Sequence, residues 1–263
     1  MRKTLSNVIK LIDSVTDNLS VSECLLLDIK KSVEMTDKKN QTKPSQTYKP
    51  SGMNCMRASY YQIKGVEQDS IDSSYILVGI CESGTDRHER IQQYITDMKA
   101  NGFDCEYIDV ETFIKQRGLD YLEIKSKTNY ETKLYWKDMN LSFLCDGIIK
   151  YRGHYYILEI KTETQEKWFK RTGVDPGHYN QATAYSLAFK LPEVIFIYEN
   201  RNTCDKKVYL FPVTDDMRTA LIGYIANCDS YIESNMVPPK PVDSGPKFCQ
   251  YCSYRKVCSK DGG

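Results

Sequence analysis

Two apolar runs, Leu144-Cys145-Asp146-Gly147-Ile148-Ile149 and Tyr156-Ile157-Leu158-Glu159-Ile160-Lys161, each hold one acid inside a strand-like pattern, with Arg152-Gly153 between them as a turn. A hairpin is the direct reading. Strand side chains alternate faces, so Glu159 and Lys161 point the same way, Ile160 points opposite, and the pairing brings Asp146 beside them. Two carboxylates and an ammonium in one cleft cost several kcal/mol of desolvation unless something neutralises them. A hard divalent cation with oxygen ligands does so, which implies Mg²⁺ or Mn²⁺. Such an ion polarises a phosphodiester and lowers the pKa of bound water, while the lysine positions the nucleophile or stabilises developing negative charge.

The rest of the chain supplies the frame for that hairpin. Residues 4–19 carry Leu5, Val8, Ile9, Ile12, Val15 and Leu19 at helical steps, and Ser20 with Glu23 reads as a capping box ahead of Leu25, Leu26, Leu27 and Ile29. Two helices are therefore expected at the start. From Asp37 to Gly52 apolar residues almost vanish, which predicts a loop or linker. This divides the chain into a helical accessory segment, 1–52, and a main domain, 53–263. A short helix follows Cys55, Tyr75 to Ile80 reads as an extended segment, and a helix is expected from about Asp86 to Lys99, ended by Gly102. The middle is a β-meander over Tyr130–Trp136, Leu141–Lys150 and Tyr155–Lys161. Beyond it come a helix over His178–Lys190, strands at Val194–Tyr198 and Val208–Val213, and a long helix over Asp215–Ser234, ended by the proline-rich run 238–241.

The chain has 36 basic and 35 acidic residues, so affinity for nucleic acid has to come from local clustering. The segment Lys167-Trp168-Phe169-Lys170-Arg171 is such a cluster. Its cations suit phosphates and its rings suit unpaired bases, and it is expected to line a nucleic-acid path, against the alternative of an amphipathic turn whose rings pack on the core. The first residues do not form the continuous apolar run of a signal peptide, and no stretch approaches a membrane span, so no membrane partner and a cytoplasmic location are expected.

Ten cysteines in a chain of this length, in a reducing compartment, raise metal ligation before disulfides. Cys24, Cys81, Cys105, Cys145, Cys204 and Cys228 stand isolated and read as small buried hydrophobes. Cys249, Cys252 and Cys258 are clustered, and three thiol ligands leave a fourth position open.

Two further elements flank the hairpin and bring the set to four in chain order: Gly84-Thr85-Asp86-Arg87-His88 upstream, Asp146, Glu159-Ile160-Lys161, and Gln181 with Tyr185 one helical turn apart. In this order they resemble the RecB-like branch of the PD-(D/E)xK nucleases, over roughly residues 54–259. The residue two before the aspartate is usually glycine in that family, and here it is Leu144. The resemblance implies an α/β, restriction-endonuclease-like core: a central mixed β-sheet flanked by helices, with a helical N-terminal accessory and a C-terminal iron–sulfur staple. It implies metal ligation by His88, Asp146, Glu159 and the Ile160 carbonyl, and catalysis by Asp146, Glu159 and Lys161, with Gln181 and Tyr185 shaping the site. It also implies that Cys55, Cys249, Cys252 and Cys258 hold a 4Fe-4S cluster. A tetrahedral zinc site uses the same thiolates, and spacing alone does not separate the two.

The CRISPR-associated RecB-like exonucleases, their phage-encoded relatives and AddB-type nuclease domains share this layout. From them follows the expectation of a Mg²⁺- or Mn²⁺-dependent deoxyribonuclease acting on single-stranded DNA or DNA ends, with recombination or CRISPR-adaptation proteins as partners. Two other readings stay open: a nucleic-acid-binding adaptor of the same fold, and a zinc-stabilised interaction protein whose acids are incidental.

Overall fold

The computed structural model of the chain describes residues 19–40, 44–69, 74–128, 131–241, 249–250 and 252–262. It divides into two compact units, Met1–Lys43 with Ile71–Ser83, and Pro44–Ser70 with Gly84–Gly263. The helix expected over residues 4–19 lies outside the described residues, apart from its last position.

In the smaller unit, helix α1 (Val21–Asn40) starts at the capping box. The Ser20 N–H donates to Glu23 Oε2 at 2.7 Å, and the Glu23 N–H reaches Ser20 Oγ at 3.4 Å. The helix runs to Asn40, so the polar stretch from Asp37 is at first a solvated helix end and not a loop. Residues 44–52 are not a linker either. Tyr48 is buried, its backbone pairs with Asn140 and Ser142, and its hydroxyl donates to Asp229 at 2.6 Å. The boundary therefore falls at 43/44, earlier than the polar composition suggested.

Tyr75–Ile80 is helical. One helix, α3 (Tyr75–Ala100), replaces the expected strand and separate helix, with α2 (Met56–Ile63) preceding it. Ile76, Leu77 and Ile80 are exposed, so the apolar run does not mark a buried strand, and Gly79 and Gly84 lie within the helix with open space around them. A short apolar run fits either period, and here the helix continues into the strongly periodic part that buries Ile91 and Ile95. The turn that ends it has Gly102 at φ +85°, a left-handed conformation suited to glycine.

The larger unit contains a five-stranded mixed sheet in the order β1 (Cys105–Ile108), β5 (Gly147–Tyr151), β6 (His154–Glu163), β7 (Glu193–Asn200), β8 (Lys206–Pro212). Strands β6 and β7 are parallel and the other pairs antiparallel. A second, antiparallel sheet is formed by β2 (Leu122–Lys127), β3 (Thr132–Trp136) and β4 (Leu141–Cys145). The expected single strand over Leu141–Lys150 is thus two strands in two different sheets, separated by Asp146. Helices α4 (Val110–Arg117), α5 (Gln165–Lys170), α6 (Tyr179–Phe189), α7 (Asp215–Glu233) and α8 (Arg255–Lys260) complete the described α-helices.

Alternation along the five-stranded sheet separates two cores. Leu158, Ile160 and Ile197 pack with Ile91 and Ile95 of α3 on one face. Ile157, Phe196 and Tyr198 belong to the larger core, with Ala182, Tyr185 and Phe189 of α6. Helix α6 is buried on nearly every side, which sets Gln181 against the sheet instead of in solvent.

Candidate functional site

Asp146 occupies the joint between the two sheets, and the strand registers on either side fix what faces it. In the β5–β6 ladder Gly147 pairs with Leu158, so one step outward aligns Asp146 with Glu159. In the β3–β4 ladder Thr132 pairs with Cys145, so one step outward aligns Glu131 with Asp146. One acid is therefore flanked by two others. Their backbone positions follow from pairing, not from proximity in sequence.

The joint is held firmly. The Asp146 carbonyl accepts from Gln92 Nε2 at 2.6 Å and from the Tyr107 hydroxyl at 2.7 Å. Gly147 has φ +154°, and a Cβ there would lie 2.5 Å from the Tyr107 hydroxyl oxygen. Glycine is required at this position for Tyr107 to reach the carbonyl.

The Asp146 carboxylate uses Oδ2 to accept the Ile160 N–H at 2.7 Å and presents Oδ1 to His88 Nδ1 at 3.3 Å. His88, Glu131 and Asp146 each offer one ligand atom, and these atoms lie within 4.8 Å of one another. Glu131 is a residue that sequence reasoning missed; its only signal is the meander register, which the sequence does not display. Burial and the Asp146 charge raise the Glu131 pKa. For His88 burial acts to lower the pKa, but the hydrogen bond to Asp146 and the charges of Asp146 and Glu159 outweigh it. All of these effects report negative charge in excess of its neutralisation.

Glu159 is 3% exposed. Its Oε1 faces Lys161 Nζ at 2.5 Å and accepts from Gln181 Nε2 at 2.7 Å, whereas its buried Oε2 has no hydrogen-bond partner. Burial pushes its pKa up to about 7, with Asp146 adding to the effect and Lys161 opposing it. Glu159 lies outside the set of atoms within 4.8 Å formed by His88, Glu131 and Asp146. The orphaned oxygen of a buried acid is expensive unless another group completes its coordination.

Gln181 ties the site together. Its Oε1 accepts from Lys161 Nζ at 3.0 Å while its Nε2 donates to Glu159 and to the Tyr185 hydroxyl at 2.8 Å. Tyr185 in turn donates to the Leu144 carbonyl at 2.5 Å. This last bond uses the backbone of Leu144, whose side chain is exposed, so a residue larger than glycine is accommodated there. Ile160 contributes its N–H to Asp146 and its side chain to the opposite core. The site thus gathers His88, Asp146, Glu159, Lys161, Gln181 and Tyr185.

The four expected cysteines are near enough for their charges to act on one another, but among the described residues no three of their sulfurs lie within 4.8 Å of one another. Burial raises the Cys55 thiol, and the charges of Cys258 and Cys249 raise it further; Cys252 feels Cys55, Cys249 and Cys258 in the same way. Arg57 donates to Cys258 Sγ at 3.4 Å and to the Pro238 carbonyl at 2.8 Å, and Tyr61 donates to Asp261 at 2.7 Å. Of the isolated cysteines, Cys105, Cys145 and Cys228 are buried, whereas Cys24 and Cys204 are half-buried and Cys81 is exposed.

The cluster at 167–171 needs correction as a nucleic-acid surface. Arg171 is bound by both oxygens of Glu163 and by Asp175, and its guanidinium lies 4.2 Å from the Tyr198 ring centroid. Trp168 packs against the core, donates to the Tyr198 carbonyl at 3.3 Å and is covered by Lys207 at 4.4 Å. Both are structural because buried Glu163 needs a cation and the indole has core area to cover. Lys170 pairs with Glu166 on the surface, and Phe169 is 63% exposed. Lys167 remains available, lining a cavity with Lys161.

No helix among the described residues is long and apolar enough to cross a membrane. No family model matches the chain. A search of curated proteins finds no match either. Among solved structures, the chain is similar to one described as "Crystal structure of SSO0001", with a TM-score of 0.42 and 14% identity over 91% of this chain and 96% of that one. The architecture itself is mixed α/β, with a mixed central sheet and flanking helices.

Proposed function

We propose that this chain is a divalent-metal-dependent deoxyribonuclease built on a PD-(D/E)xK-type core. The observation that carries the reading is the convergence of Asp146, Glu159 and Lys161, braced by Gln181, at the joint of two sheets. Glu159 Oε2 is buried with neither a hydrogen bond nor a cation beside it, which favours a ligand completing its coordination. The donor set is imidazole plus carboxylate oxygen, which suits Mn²⁺ or Mg²⁺. His88, Asp146 and Glu131 would hold the ion, with Glu159 Oε2 turned to complete the set. When bound, the metal supplies polarisation of a phosphodiester and a lowered pKa for a water ligand.

The protein's own groups define the rest. Lys161 stays protonated because the Glu159 charge outweighs the burial that acts against it. Its ammonium is held on two sides, by Glu159 and Gln181, and so stands ready to meet negative charge developing on a phosphoryl oxygen. Tyr185 stays neutral because burial holds its pKa far above the usual range, and it fixes Gln181 through the hydroxyl. Gln92 and Tyr107 hold the Asp146 backbone so that its carboxylate cannot swing away. DNA ends or single strands remain the proposed substrate, and recombination or CRISPR-adaptation proteins the proposed partners.

For the thiol cluster the proposal is a 4Fe-4S centre in a structural role, joining Cys55 near the start of the larger unit to the three C-terminal cysteines. Elemental analysis of anaerobically purified protein tests it: iron with acid-labile sulfide supports the cluster, and stoichiometric zinc replaces it with a tetrahedral site. The nuclease reading is tested with labelled single- and double-stranded DNA in Mn²⁺, Mg²⁺ or chelator. Cleavage that requires metal and disappears in both Glu159→Ala and Lys161→Ala supports it. Cleavage that persists in those folded variants, or is absent from the native protein, rejects it.

A further inference from the structure

A cavity of about 180 Å³ opens at the carboxyl end of β6, with Lys161 in its wall and neither Asp146 nor Glu159 lining it. Its walls include Lys161, Lys167, Arg201 and His178. Two acids, Glu163 and Asp175, also line it and share the single charge of Arg171, so one negative charge is left over. Lys161 is matched by Glu159. Among the described residues, Lys167 and Arg201 have no carboxylate within ion-pair distance. Arg201 is held by neutral oxygens alone, through Nε to Thr162 Oγ1 at 3.1 Å and through a terminal nitrogen to the Thr162 carbonyl at 3.3 Å. Arginine has five N–H donors, so this arrangement orients the guanidinium and leaves donors over.

His178 adds a neutral imidazole to the wall. The Tyr198 hydroxyl accepts the Asp175 N–H at 3.1 Å and lies 2.9 Å from His178 Nδ1. The hydroxyl can donate to Nδ1 or accept from it, according to the imidazole tautomer. With Lys167 and Arg201 outside any ion pair, a third cation at the wall and one positive charge in excess, the cavity suits a multiply accepting anion. Its position, sharing Lys161 with the carboxylate centre, restricts which anion that is.

We propose that this cavity is a phosphate subsite of the nucleic-acid path, in which Lys167 and Arg201 grip a backbone phosphate neighbouring the one presented to Asp146 and Glu159. The assignment rests on the nuclease reading for its substrate class. It gives Lys161 two neighbours, the reacting phosphate on one side and the gripped phosphate on the other. It also moves the nucleic-acid contact from the face of α5, where Trp168 and Arg171 are used internally, to the pocket at the base of that helix. Lys167 and Arg201 are positioning residues here: they hold the strand and do not touch the reacting bond.

The test uses the full chain and a fluorescein-labelled single-stranded deoxyoligonucleotide, with Ca²⁺ in place of Mg²⁺, and follows anisotropy from 50 to 300 mM salt. Loss of the single gripped phosphate lowers the slope of log affinity against log salt by about 0.7 in the double variant, and each single variant lowers it by part of that. Lys167→Gln, Arg201→Gln and the double variant are expected to show these changes with about tenfold or greater loss of affinity for the pair, and Arg201→Lys to recover the slope but not the full affinity. Lys167 is exposed, so Lys167→Gln reports even where a change at Arg201 perturbs folding. An unchanged slope in Lys167→Gln and the double variant overturns the subsite, as does failure of the native chain to bind the oligonucleotide. Cleavage of the same oligonucleotide by the native chain in Mn²⁺ separates the two ideas: cleavage with an unchanged slope removes the subsite alone, and variant-sensitive binding without cleavage removes the nuclease reading alone.

Discussion

Glu159 and Glu199 are buried glutamates on neighbouring parallel strands, and they are used in opposite ways. Glu199 is fully buried, with Arg87 at 2.9 Å and Arg90 at 2.6 Å from Oε1 and Lys206 at 3.1 Å from Oε2. Each oxygen has a cation beside it, although Oε2, like that of Glu159, makes no hydrogen bond. Glu159 has one ammonium on Oε1 and nothing on Oε2. Residue type, burial and sheet are shared, so the difference lies in charge accounting. An acid surrounded by cations locks the α3 segment to the β7–β8 turn, while an acid left short of positive charge is a place for a ligand to bind.

The comparison predicts that the two glutamates separate activity from stability. Glu159→Gln removes the charge while keeping the bonds to Gln181 and Lys161 feasible, so metal-dependent cleavage should fall by at least about 100-fold with the urea midpoint almost unmoved. Glu199→Gln should do the reverse. It leaves three cations around a neutral amide and is expected to cost about 3 kcal/mol by urea unfolding, with cleavage per folded molecule retained. Equal loss of stability in the two variants would erase the distinction.

A smaller effect is expected at Glu131. If it belongs to the centre, Glu131→Gln weakens Mn²⁺ binding by about tenfold, readable by calorimetry, and leaves unfolding unchanged. The smallest concerns His178, whose pKa burial, with Lys161 adding, lowers to about 4. An unfolded histidine titrates near 6.5, so between pH 6.5 and 4 the unfolded chain binds the extra proton and stability falls as acid is added. Above pH 6.5 this contribution is fully present and flat. The urea midpoint of His178→Gln should therefore depend less steeply on pH across that window than the native midpoint does.

The carboxylate hairpin was legible because its information is local. Asp146, Glu159 and Lys161 lie on one β-turn excursion, alternation sets their faces, and the single helical turn between Gln181 and Tyr185 sets theirs. Glu131 was invisible because its place depends on the register of a different sheet, through the pairing of Thr132 with Cys145. The strand break at Asp146 was hidden for the same reason: an apolar run does not tell which sheet each half will join. Trp168 and Arg171 were misjudged because composition shows the cations but not the buried Glu163 that claims one of them. Tyr75–Ile80 went wrong at the level of period, since six apolar residues suit a strand until the helix behind them is considered.

The account depends on Asp146 and Glu159 serving one cation. Titration of Mn²⁺, followed by the loss of its free electron-spin-resonance signal, tests this directly on the native chain, Asp146→Asn and Glu159→Gln. The account predicts binding by the native protein that weakens at least about tenfold in each folded variant. Native-like Mn²⁺ binding in both, or none in the native chain, would contradict it.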